Sequence, residues 1–505
     1  MKHGRGLMLI LSSALAMFAG LFGVMASAQQ PAAKPPVDIK ADATWSGEVT
    51  VDSVVRIVGA TLTIAPGTKV TFKPGGVLSV AGALVAKGDA DKPVELIGEK
   101  CGHIEGGGGK VVLENCRLTG LSDDVNKRAL WFSGSVGREG IVLKNCKVTD
   151  CGGFWPTLGG PCDVDGCDFR ACRGEIRIYG RGGAARVTNN TVEGGNVGAT
   201  DVAEAVIAGN VVIGGTISSW NSPKVVVELN YVHQPKPGGS YCLLYGSGTT
   251  RNNVLSGGSW VSAQLGGEIT GNVLISLPSE GAKDLPGGYD RNCTHEHICG
   301  IAANARVERN IFIGNSYGAV MGIGANSGVG ALIRNNTFDM RGGGRPVYLD
   351  HLTKPDASKV VVRNNLFMRC HGIQDERGTA DAIDYCDYNL WSDAAKKERF
   401  EKITITGKKP GDPGMGGHDV PPIAQNDKQP APADVVVNPD IAFPFSDEEM
   451  LARKHTPAEV LKIYRDAYAL KPGSPAINAG DPADKDDPAV KDGKPDIGAI
   501  EFEGK

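Results

Sequence analysis

One pattern of apolar and polar positions recurs through the middle of the chain. In the copy at 224–234, alternating apolar residues lead up to Asn230, and a short apolar strand follows it. The phrase carries an Asn at nine positions: Asn190, Asn210, Asn230, Asn253, Asn272, Asn310, Asn336, Asn365 and Asn389. Its closest copies are 20 residues apart. Self-similarity at a fixed period indicates a solenoid, and short strands interrupted by turn residues in every pass predict a coil of three strands.

These asparagines, which we call the Asn ladder, have a structural role in such a coil. An Asn amide both donates and accepts hydrogen bonds, and Asn tolerates left-handed backbone angles at tight turns. Neighbouring turns of the coil lie about 4.8 Å apart. We therefore expect Asn190, Asn210 and Asn230 to lie in line inside successive turns, and we assign them no catalytic role.

Cysteines take the ladder position in three earlier copies. We expect Cys116, Cys146 and Cys167 to be adjacent buried thiols. Cys151 and Cys172 each lie five residues after their ladder position and should stack on adjacent turns. A spacing of about 4.8 Å is within disulfide range, and the sequence leaves two states open for this pair, a disulfide or a buried thiol stack. The even count of 12 cysteines permits disulfides in an exported chain.

The start of the chain predicts export. A basic beginning is followed by the apolar run Leu7–Val24 and by Ala26-Ser27-Ala28, a small-residue cleavage site. We expect residues 1–28 to be a cleaved signal peptide, with a secreted or periplasmic product. No later stretch is apolar enough to span a membrane. Residues 29–44, rich in Pro and Ala, are predicted as a flexible lead.

The remaining chain divides into two parts. Residues 45–404 are predicted to form the solenoid, with about 12–15 turns, since insertions make many turns longer than the shortest interval. Residues 405–505 are predicted to be an irregular and helical closing segment. Ser446 with Glu449, and Thr456 with Glu459, form capping boxes that predict two short helices there.

Composition narrows the classes of protein. Glycine is abundant, at 70 of 505 residues, and aromatic residues make up 6%, which favours a turn-rich β architecture. The glycines lack a three-residue period, and 41% of the residues are hydrophobic, so neither collagen nor a disordered chain fits. Removing Lys2 and Arg5 with the signal peptide changes the formal charge from −4 to −6. An acidic chain without a basic block argues against nucleic acid as a partner.

Three segments resemble a known family. The ending GSPAINAGDP at 473–482 and DIGAIEF at 496–502 looks like the closing segment of secreted bacterial right-handed parallel β-helix proteins. The opening LTIAPGTKVTFKPGG at 62–76 and the Asn phrases are also similar to those proteins. The resemblance implies an all-β, pectin-lyase-like right-handed parallel β-helix. It implies no single activity, because that fold carries lyases, hydrolases, epimerases and adhesins.

The longest interval in the ladder predicts where chemistry lies. Asn272 and Asn310 are 38 residues apart, and long insertions in solenoids often form the binding surface. Within the loop Ser276–His297 and the strand after it, Cys293, His295, His297 and Cys299 alternate. Three interpretations stay open for these residues: a metal site completed by another segment, disulfides or free thiols, and a histidine acid–base role.

Coils on either side of this loop add polar and aromatic residues. The candidate catalytic residues are His295, His297, Arg345, Tyr348, Asp350 and His351, and the candidate substrate-binding residues are Trp260, Asp290, Tyr317 and His371. β-Elimination on a uronic acid would need a His or Tyr base and a cation such as Arg345 to neutralise the carboxylate. Glycoside hydrolysis would instead need two carboxylates, for which Asp290, Asp350 and Asp375 are available. The aromatic residues are equally interpreted as packing between the sheet and the loops.

Two functions remain open on the sequence. The first is binding or cleavage of a polysaccharide or cell-surface glycan. The second is a non-enzymatic surface or periplasmic rod. We expect a monomer in either case. The acidic ending could suggest Ca²⁺, but it lacks the EF-hand register, and we predict a solvated turn there.

Overall fold

The fold is a coil of parallel strands. The computed structural model describes residues 34–503 apart from 107, 123–127, 133–139, 157–160, 180–182, 223, 236–241, 247, 258–259, 277–296, 315, 324–329, 342–343, 351–359, 376–381, 395–398 and 423–427. Each turn adds one strand to sheet A, then one to sheet B, then one to sheet C, and the described strands number 16, 15 and 15. The predicted all-β parallel coil of about 12–15 turns is confirmed.

The strands have the following bounds. Sheet A contains β1 Val37–Ile39, β4 Val54–Ile57, β7 Val77–Val80, β10 His103–Gly106, β13 Arg128–Phe132, β16 Gly152–Pro156, β19 Arg173–Tyr179, β22 Val197–Thr200, β25 Ile217–Trp220, β28 Cys242–Gly246, β31 Trp260–Leu265, β34 His297–Ile301, β37 Ser316–Ile323, β40 Gly344–Asp350, β43 Ile373–Asp375 and β46 Phe400–Glu401. Sheet B contains β2 Ala43–Trp45, β5 Thr61–Ile64, β8 Ala83–Lys87, β11 Lys110–Glu114, β14 Ile141–Lys144, β17 Cys162–Asp165, β20 Ala184–Thr188, β23 Glu204–Ala208, β26 Lys224–Glu228, β29 Thr249–Arg251, β32 Glu268–Thr270, β35 Arg306–Glu308, β38 Leu332–Arg334, β41 Val360–Arg363 and β44 Ile383–Asp387. Sheet C contains β3 Glu48–Val51, β6 Lys69–Phe72, β9 Val94–Gly98, β12 Cys116–Thr119, β15 Lys147–Thr149, β18 Asp168–Arg170, β21 Thr191–Glu193, β24 Val211–Ile213, β27 Tyr231–Gln234, β30 Val254–Gly257, β33 Val273–Ser276, β36 Ile311–Gly314, β39 Thr337–Asp339, β42 Leu366–Met368 and β45 Leu390–Ser392.

The core fills the inside of the coil. Because strand residues alternate between two faces, one apolar set points inward on every turn and stacks on its counterpart in the next. In sheet C the rings of Phe312, Phe338, Phe367 and Trp391 follow one another at centroid distances of 4.7, 5.3 and 4.6 Å. These inward rows hold successive turns in register.

The Asn ladder lies at the corner between sheets B and C. All nine asparagines are at most 1% exposed. The Nδ2 of Asn190 donates to Oδ1 of Asn210 at 2.9 Å, and Nδ2 of Asn210 donates to Oδ1 of Asn230 at 2.9 Å. The residue before each is left-handed, as at Asn189, where φ is 57°. The predicted stack of buried asparagines is confirmed.

Thiols occupy the same slot in the earlier turns. Cys116, Cys146 and Cys167 are at most 1% exposed. The backbone N–H of Cys146 donates to Sγ of Cys167 at 3.4 Å, and that of Cys167 donates to Oδ1 of Asn190 at 2.9 Å. The predicted adjacency of these buried thiols is confirmed, and the ladder passes from sulfur to amide without a break.

An aspartate ends the ladder. Asp419 Oδ1 accepts a hydrogen bond from the backbone of Asn389 at 2.9 Å, and its Oδ2 accepts one from Nε1 of Trp391 at 2.8 Å. The neighbouring residues Met415 and Val420 pair with Cys386 and Leu390, so this segment closes the last turn. Burial raises the pKa of the Asp419 carboxyl to about 6.

This pKa predicts a pH-dependent contribution to stability. The unfolded pKa is lower, near 3.9, so the native state binds more protons, and the contribution of Asp419 falls as pH rises from about 4 through 6. Asp419→Asn removes the titration. As pH rises from about 4 to 7, the free energy of unfolding of the variant minus that of the parent should increase by up to about 3 kcal/mol. Denaturant titrations check this, with the exposed Asp486→Asn as control; parallel curves for Asp419→Asn and parent would contradict it.

The closing segment covers the outer face of sheet C. It contains α1 Pro432–Val435, α2 Asp447–Leu451, α3 Pro457–Ala467 and a 3₁₀ turn at Pro482–Asp484. Apolar residues of α2 and α3 share one buried cluster with outward residues of sheet C such as Ile213 and Val254. Both predicted capping boxes are present at the starts of α2 and α3.

The acidic ending is not the solvated turn that the sequence predicted. Asp484 is 5% exposed and accepts hydrogen bonds from Arg334 at 2.7 Å, Arg363 at 2.6 Å and Asn364 at 2.8 Å. Asp487 pairs with Arg309 at 2.9 Å. These carboxylates neutralise a column of arginines along the corner between sheets B and C, so the prediction was wrong about their surroundings. The oxygens that suggested Ca²⁺ accept guanidinium and amide hydrogen bonds instead.

The coil begins earlier than the sequence suggested. Strand β1 and the first two residues of β2 lie within the predicted lead at 29–44, and Val37 and Ile39 pair with Val55 and Ile57 of β4. A three-residue alternation is too short to recognise alone, and pairing with the next turn orders it. The predicted signal peptide, 1–28, lies outside the described residues. No helix within the described part of the chain has the length and apolarity needed to cross a membrane.

Candidate functional site

The three faces of the coil differ in what flanks them. The closing segment packs on sheet C, and the ladder keeps the corner between sheets B and C tight. The long intervals between strands lie at the two corners beside sheet A: between Ser276 and His297, Ile323 and Leu332, and Asp350 and Val360. Sheet A is therefore the face along which this chain varies most from its own repeat.

The structure brings most of the predicted site positions to this sheet. The described ones lie on strands β31, β34, β37 and β40, or directly before β43: Trp260, His297, Tyr317, Arg345, Tyr348, Asp350 and His371. These strands are consecutive neighbours in sheet A. His371 is held beside them by a hydrogen bond from its backbone N–H to the carbonyl of Gly344, at 2.9 Å. Asp290, His295 and His351 lie outside the described residues.

The positions do not converge on one point. His297 pairs with Gly318, which pairs with Arg345, so His297 and Arg345 share a row two strand spacings apart. Asp350 pairs with Ile323, five residues farther along the strand from Arg345, or about 17 Å at the usual rise. The backbone thus groups His297 with Arg345 and separates both from Asp350.

Two further candidates are buried. Tyr348 lies between the core residues Val347 and Leu349, so alternation points it out of the coil, yet it is 3% exposed. Its neighbour across the sheet, Gln374, is also 3% exposed. Asp375, considered as a carboxylate for hydrolysis, is 1% exposed. A ligand reaching Tyr348 would have to enter a covered part of the face.

The cysteine–histidine pattern gives no metal centre among the residues that the structure describes. Cys299 is a free thiol, 0% exposed, in the core of the coil. It therefore lies on the inner side of sheet A. Cys293 and His295 fall outside the described residues, and in the rest of the described chain no group of three or more potential ligands is arranged around a metal position.

A stacked aromatic pair lies on β25 and β28, five and four strands before β40. Trp220, at the end of β25, is 45% exposed. Its ring stacks on that of Tyr245 in β28, with centroids 5.0 Å apart and planes 2° from parallel. The sequence gives no sign that these two residues form one platform, because the contact depends on the register of β25 with β28.

Small residues, Gly198 and Ser218, form a low polar floor beside this pair. Along one row of sheet A, Arg177 pairs with Gly198, Gly198 with Ser218, and Ser218 with Tyr245. A Cβ at Gly198 would lie 2.9 Å from Oγ of Ser218, so a larger residue there would crowd the floor. Three strand spacings, or about 14 Å, separate Arg177 from Tyr245 along this row.

Comparison with known proteins agrees with this architecture. Residues 98–256 match a family model described as a right-handed β-helix region, a span that includes Arg177, Trp220 and Tyr245. A search of curated proteins found no match. Taken with three parallel sheets wound turn by turn around one core, the match identifies the chain as a right-handed parallel β-helix repeat protein.

Proposed function

We propose that this protein binds an extended polysaccharide along the outer face of sheet A, with the Trp220–Tyr245 pair as its platform. The observation that carries the proposal is the exposed ring of Trp220, stacked parallel on Tyr245, on a sheet other than the one against which the helices of the closing segment pack. Aromatic faces provide large contact area for the C–H faces of sugar rings, and exposed apolar surface on a soluble protein often marks a binding site.

Other residues of sheet A support binding of a polysaccharide chain that runs along the axis of the coil. The floor at Gly198 and Ser218 offers low relief and a hydroxyl beside the platform. Farther toward the first turns, Trp131 lies on the same sheet, with the guanidinium of Arg128 4.1 Å from its ring centroid. Repeating strands thus offer repeating subsites, which suit a polymer better than a small ligand.

The predicted export of the protein is consistent with polysaccharide binding. The signal-peptide pattern at 1–28 favours export, which would bring the protein to polysaccharides outside the cytoplasm. We propose a secreted or periplasmic protein acting as a monomer. A rigid rod without glycan binding is the alternative, and it would leave the exposed platform without a role.

For cleavage of the bound chain, we propose the neighbourhood of Arg345, four strands beyond β28. His297 and Arg345 share a row two strand spacings apart, so they are the candidate base and the candidate cation that the backbone brings nearest to each other. This arrangement suits β-elimination better than hydrolysis, because Asp350 lies far along the strand and Asp375 is buried.

The binding proposal predicts the effect of one substitution. Trp220→Ala should weaken binding to a polysaccharide retained by the parent about tenfold, or ~1.4 kcal/mol, because half of the platform is lost. The melting temperature should stay unchanged, since the side chain is exposed. Affinity electrophoresis against a panel of neutral and acidic polysaccharides measures this, with unsaturated products and reducing ends read in parallel to detect cleavage.

The matched control removes an exposed apolar side chain elsewhere. Val437 is 52% exposed and belongs to the closing segment, so Val437→Ala should bind like the parent. Retention of no polysaccharide by the parent, or equal retention of Trp220→Ala, would refute the proposed function.

A further inference from the structure

Cys151 and Cys172 occupy equivalent positions on neighbouring turns. Thr149 pairs with Arg170, and Gly152 pairs with Arg173, so the two cysteines between these pairs face each other across one strand spacing. That spacing is about 4.8 Å, within the Cα separations of about 4.4–6.8 Å found in disulfides.

Both side chains leave the backbone in the same manner. Sγ of Cys151 donates to the carbonyl of Thr149 at 3.4 Å, and Sγ of Cys172 donates to the carbonyl of Arg170 at 3.4 Å. Each bond reaches back two residues along its own strand, so the two sulfur atoms point in the same direction on adjacent turns. Both are free thiols in this structure.

Exposure distinguishes this pair from the thiols inside the ladder. Cys146 and Cys167 also lie on neighbouring turns, but they are 1% and 0% exposed. Cys151 is likewise buried, at 1%, whereas Cys172 is only partly buried and is the one of the four that solvent reaches. An oxidant can therefore meet the first pair through Cys172 and has no such entry to the second.

We propose that Cys151 and Cys172 form a redox site that closes to a disulfide by exchange with a small or protein-borne disulfide. The thiolate of Cys172 attacks one sulfur of the oxidant, which gives a mixed disulfide and releases one oxidant thiolate. The thiolate of Cys151 then attacks the Cys172 sulfur, forming the Cys151–Cys172 bond and releasing the second oxidant thiolate. Two protein thiols are oxidised, one oxidant disulfide is reduced, and the two released thiolates take up the two protons.

The site has a structural consequence and a characteristic rate. The bond would tie together two turns at the corner where β16 and β19 begin, and β19 carries Arg177. Burial raises the pKa of Cys151 to about 12 and also raises that of Cys172. Since the thiolate is the attacking species, closure should be slow near neutral pH and about tenfold faster for each added pH unit.

The test uses the full-length protein, first reduced with dithiothreitol and then exposed to oxidised glutathione at mildly alkaline pH. Remaining thiols are alkylated in denaturant and the peptides are identified by mass spectrometry. We expect a linked Cys151–Cys172 peptide, with Cys116, Cys146 and Cys167 alkylated. The oxidised protein should melt a few degrees higher than the reduced protein, because the unfolded chain is constrained, and dithiothreitol should reverse the shift.

Two variants keep the inference falsifiable. Cys151→Ser should stop at a glutathione mixed disulfide on Cys172, and Cys172→Ser should leave Cys151 unmodified, with both variants retaining the parent melting temperature to within a few degrees. The inference fails if no linked peptide forms, if Cys146 and Cys167 become linked at the same rate, or if Cys172 stays unmodified in the folded Cys151→Ser variant. None of these outcomes depends on glycan binding.

Discussion

Asp484→Ala is expected to lower the free energy of unfolding by about 3–5 kcal/mol, the usual cost of removing one partner from a buried charge network. Asp484 is 5% exposed and its carboxylate binds Arg334, Arg363 and Asn364 with bonds of 2.6–3.0 Å. Without it, two guanidinium groups and an amide at the corner between sheets B and C lose a shared partner. Glu308 and Asp487 still contact Arg334, whereas among the described residues Arg363 keeps one carboxylate partner, Asp481, at 3.8 Å.

The loss should be located in the closing segment. Denaturant unfolding gives the free energy, and limited proteolysis should cut the variant within 405–503 before it cuts the coil. Asp486→Ala is the control, since this residue is exposed, two positions away and of the same charge; it should change stability by no more than about 0.5 kcal/mol. Equal midpoints for Asp484→Ala and parent would show that the arginines need no neutralising partner.

Local sequence patterns were sufficient to predict the coil and the capping boxes of the helices in the closing segment. The alternation before each Asn fixes which residues face inward, and the Asn itself reports the corner between sheets B and C, so the stack from Asn190 to Asn230 follows from spacing alone. The capping boxes at Ser446 and Thr456 are equally local, since each depends on a residue three positions later.

The surroundings of the closing segment could not be predicted in this way. Asp484 meets Arg363 across 121 positions of sequence and Arg334 across 150. A run of aspartates taken alone indicates a solvated turn, because nothing local supplies the opposite charge. The two meet because the ending bonds directly to these turns: the backbone N–H of Asp481 donates to Oδ1 of Asn364 at 2.7 Å, and that of Ala499 donates to Oγ1 of Thr337 at 3.0 Å.

The candidate site could be predicted from the sequence only in part. Counting turns places His297, Arg345 and Asp350 on one sheet, but it does not give the strand register, which determines which residues lie opposite each other. The pairing of β37 with β40 shifts between Ser316 and Gly318, and that of β31 with β34 shifts between Ser262 and Leu265. No local pattern gives these shifts, so the rows of the candidate residues appear only in the structure. The stacking of Trp220 on Tyr245 likewise depends on the register of β25 with β28.

Asn210→Leu should destabilise the coil by at least about 3 kcal/mol, because a single amide serves three neighbours. Its Nδ2 donates to the carbonyl of Val187 at 2.8 Å and to Asn230 at 2.9 Å, while its Oδ1 accepts from the backbone and the side chain of Asn190. All of these groups are buried, and each polar group left without a partner costs about 1–3 kcal/mol. Leucine has the same number and branching of side-chain heavy atoms and is no smaller, so the loss would not report a cavity.

Asn210→Cys tests whether the ladder stabilises the coil by hydrogen bonding or by packing, because a thiol can form weak hydrogen bonds and leucine cannot. In the earlier turns a thiol occupies this slot: Cys146 Sγ donates to the carbonyl of Leu113 at 3.3 Å, and Cys167 Sγ accepts from the backbone of Cys146 at 3.4 Å. A thiol at 210 can make weaker versions of the same two bonds, so the order of unfolding free energies should be parent, then Asn210→Cys, then Asn210→Leu. Equilibrium denaturation in reducing buffer measures all three. If leucine is as stable as cysteine at this position, the ladder contributes packing alone, because the thiol's ability to bond above and below would then have no effect.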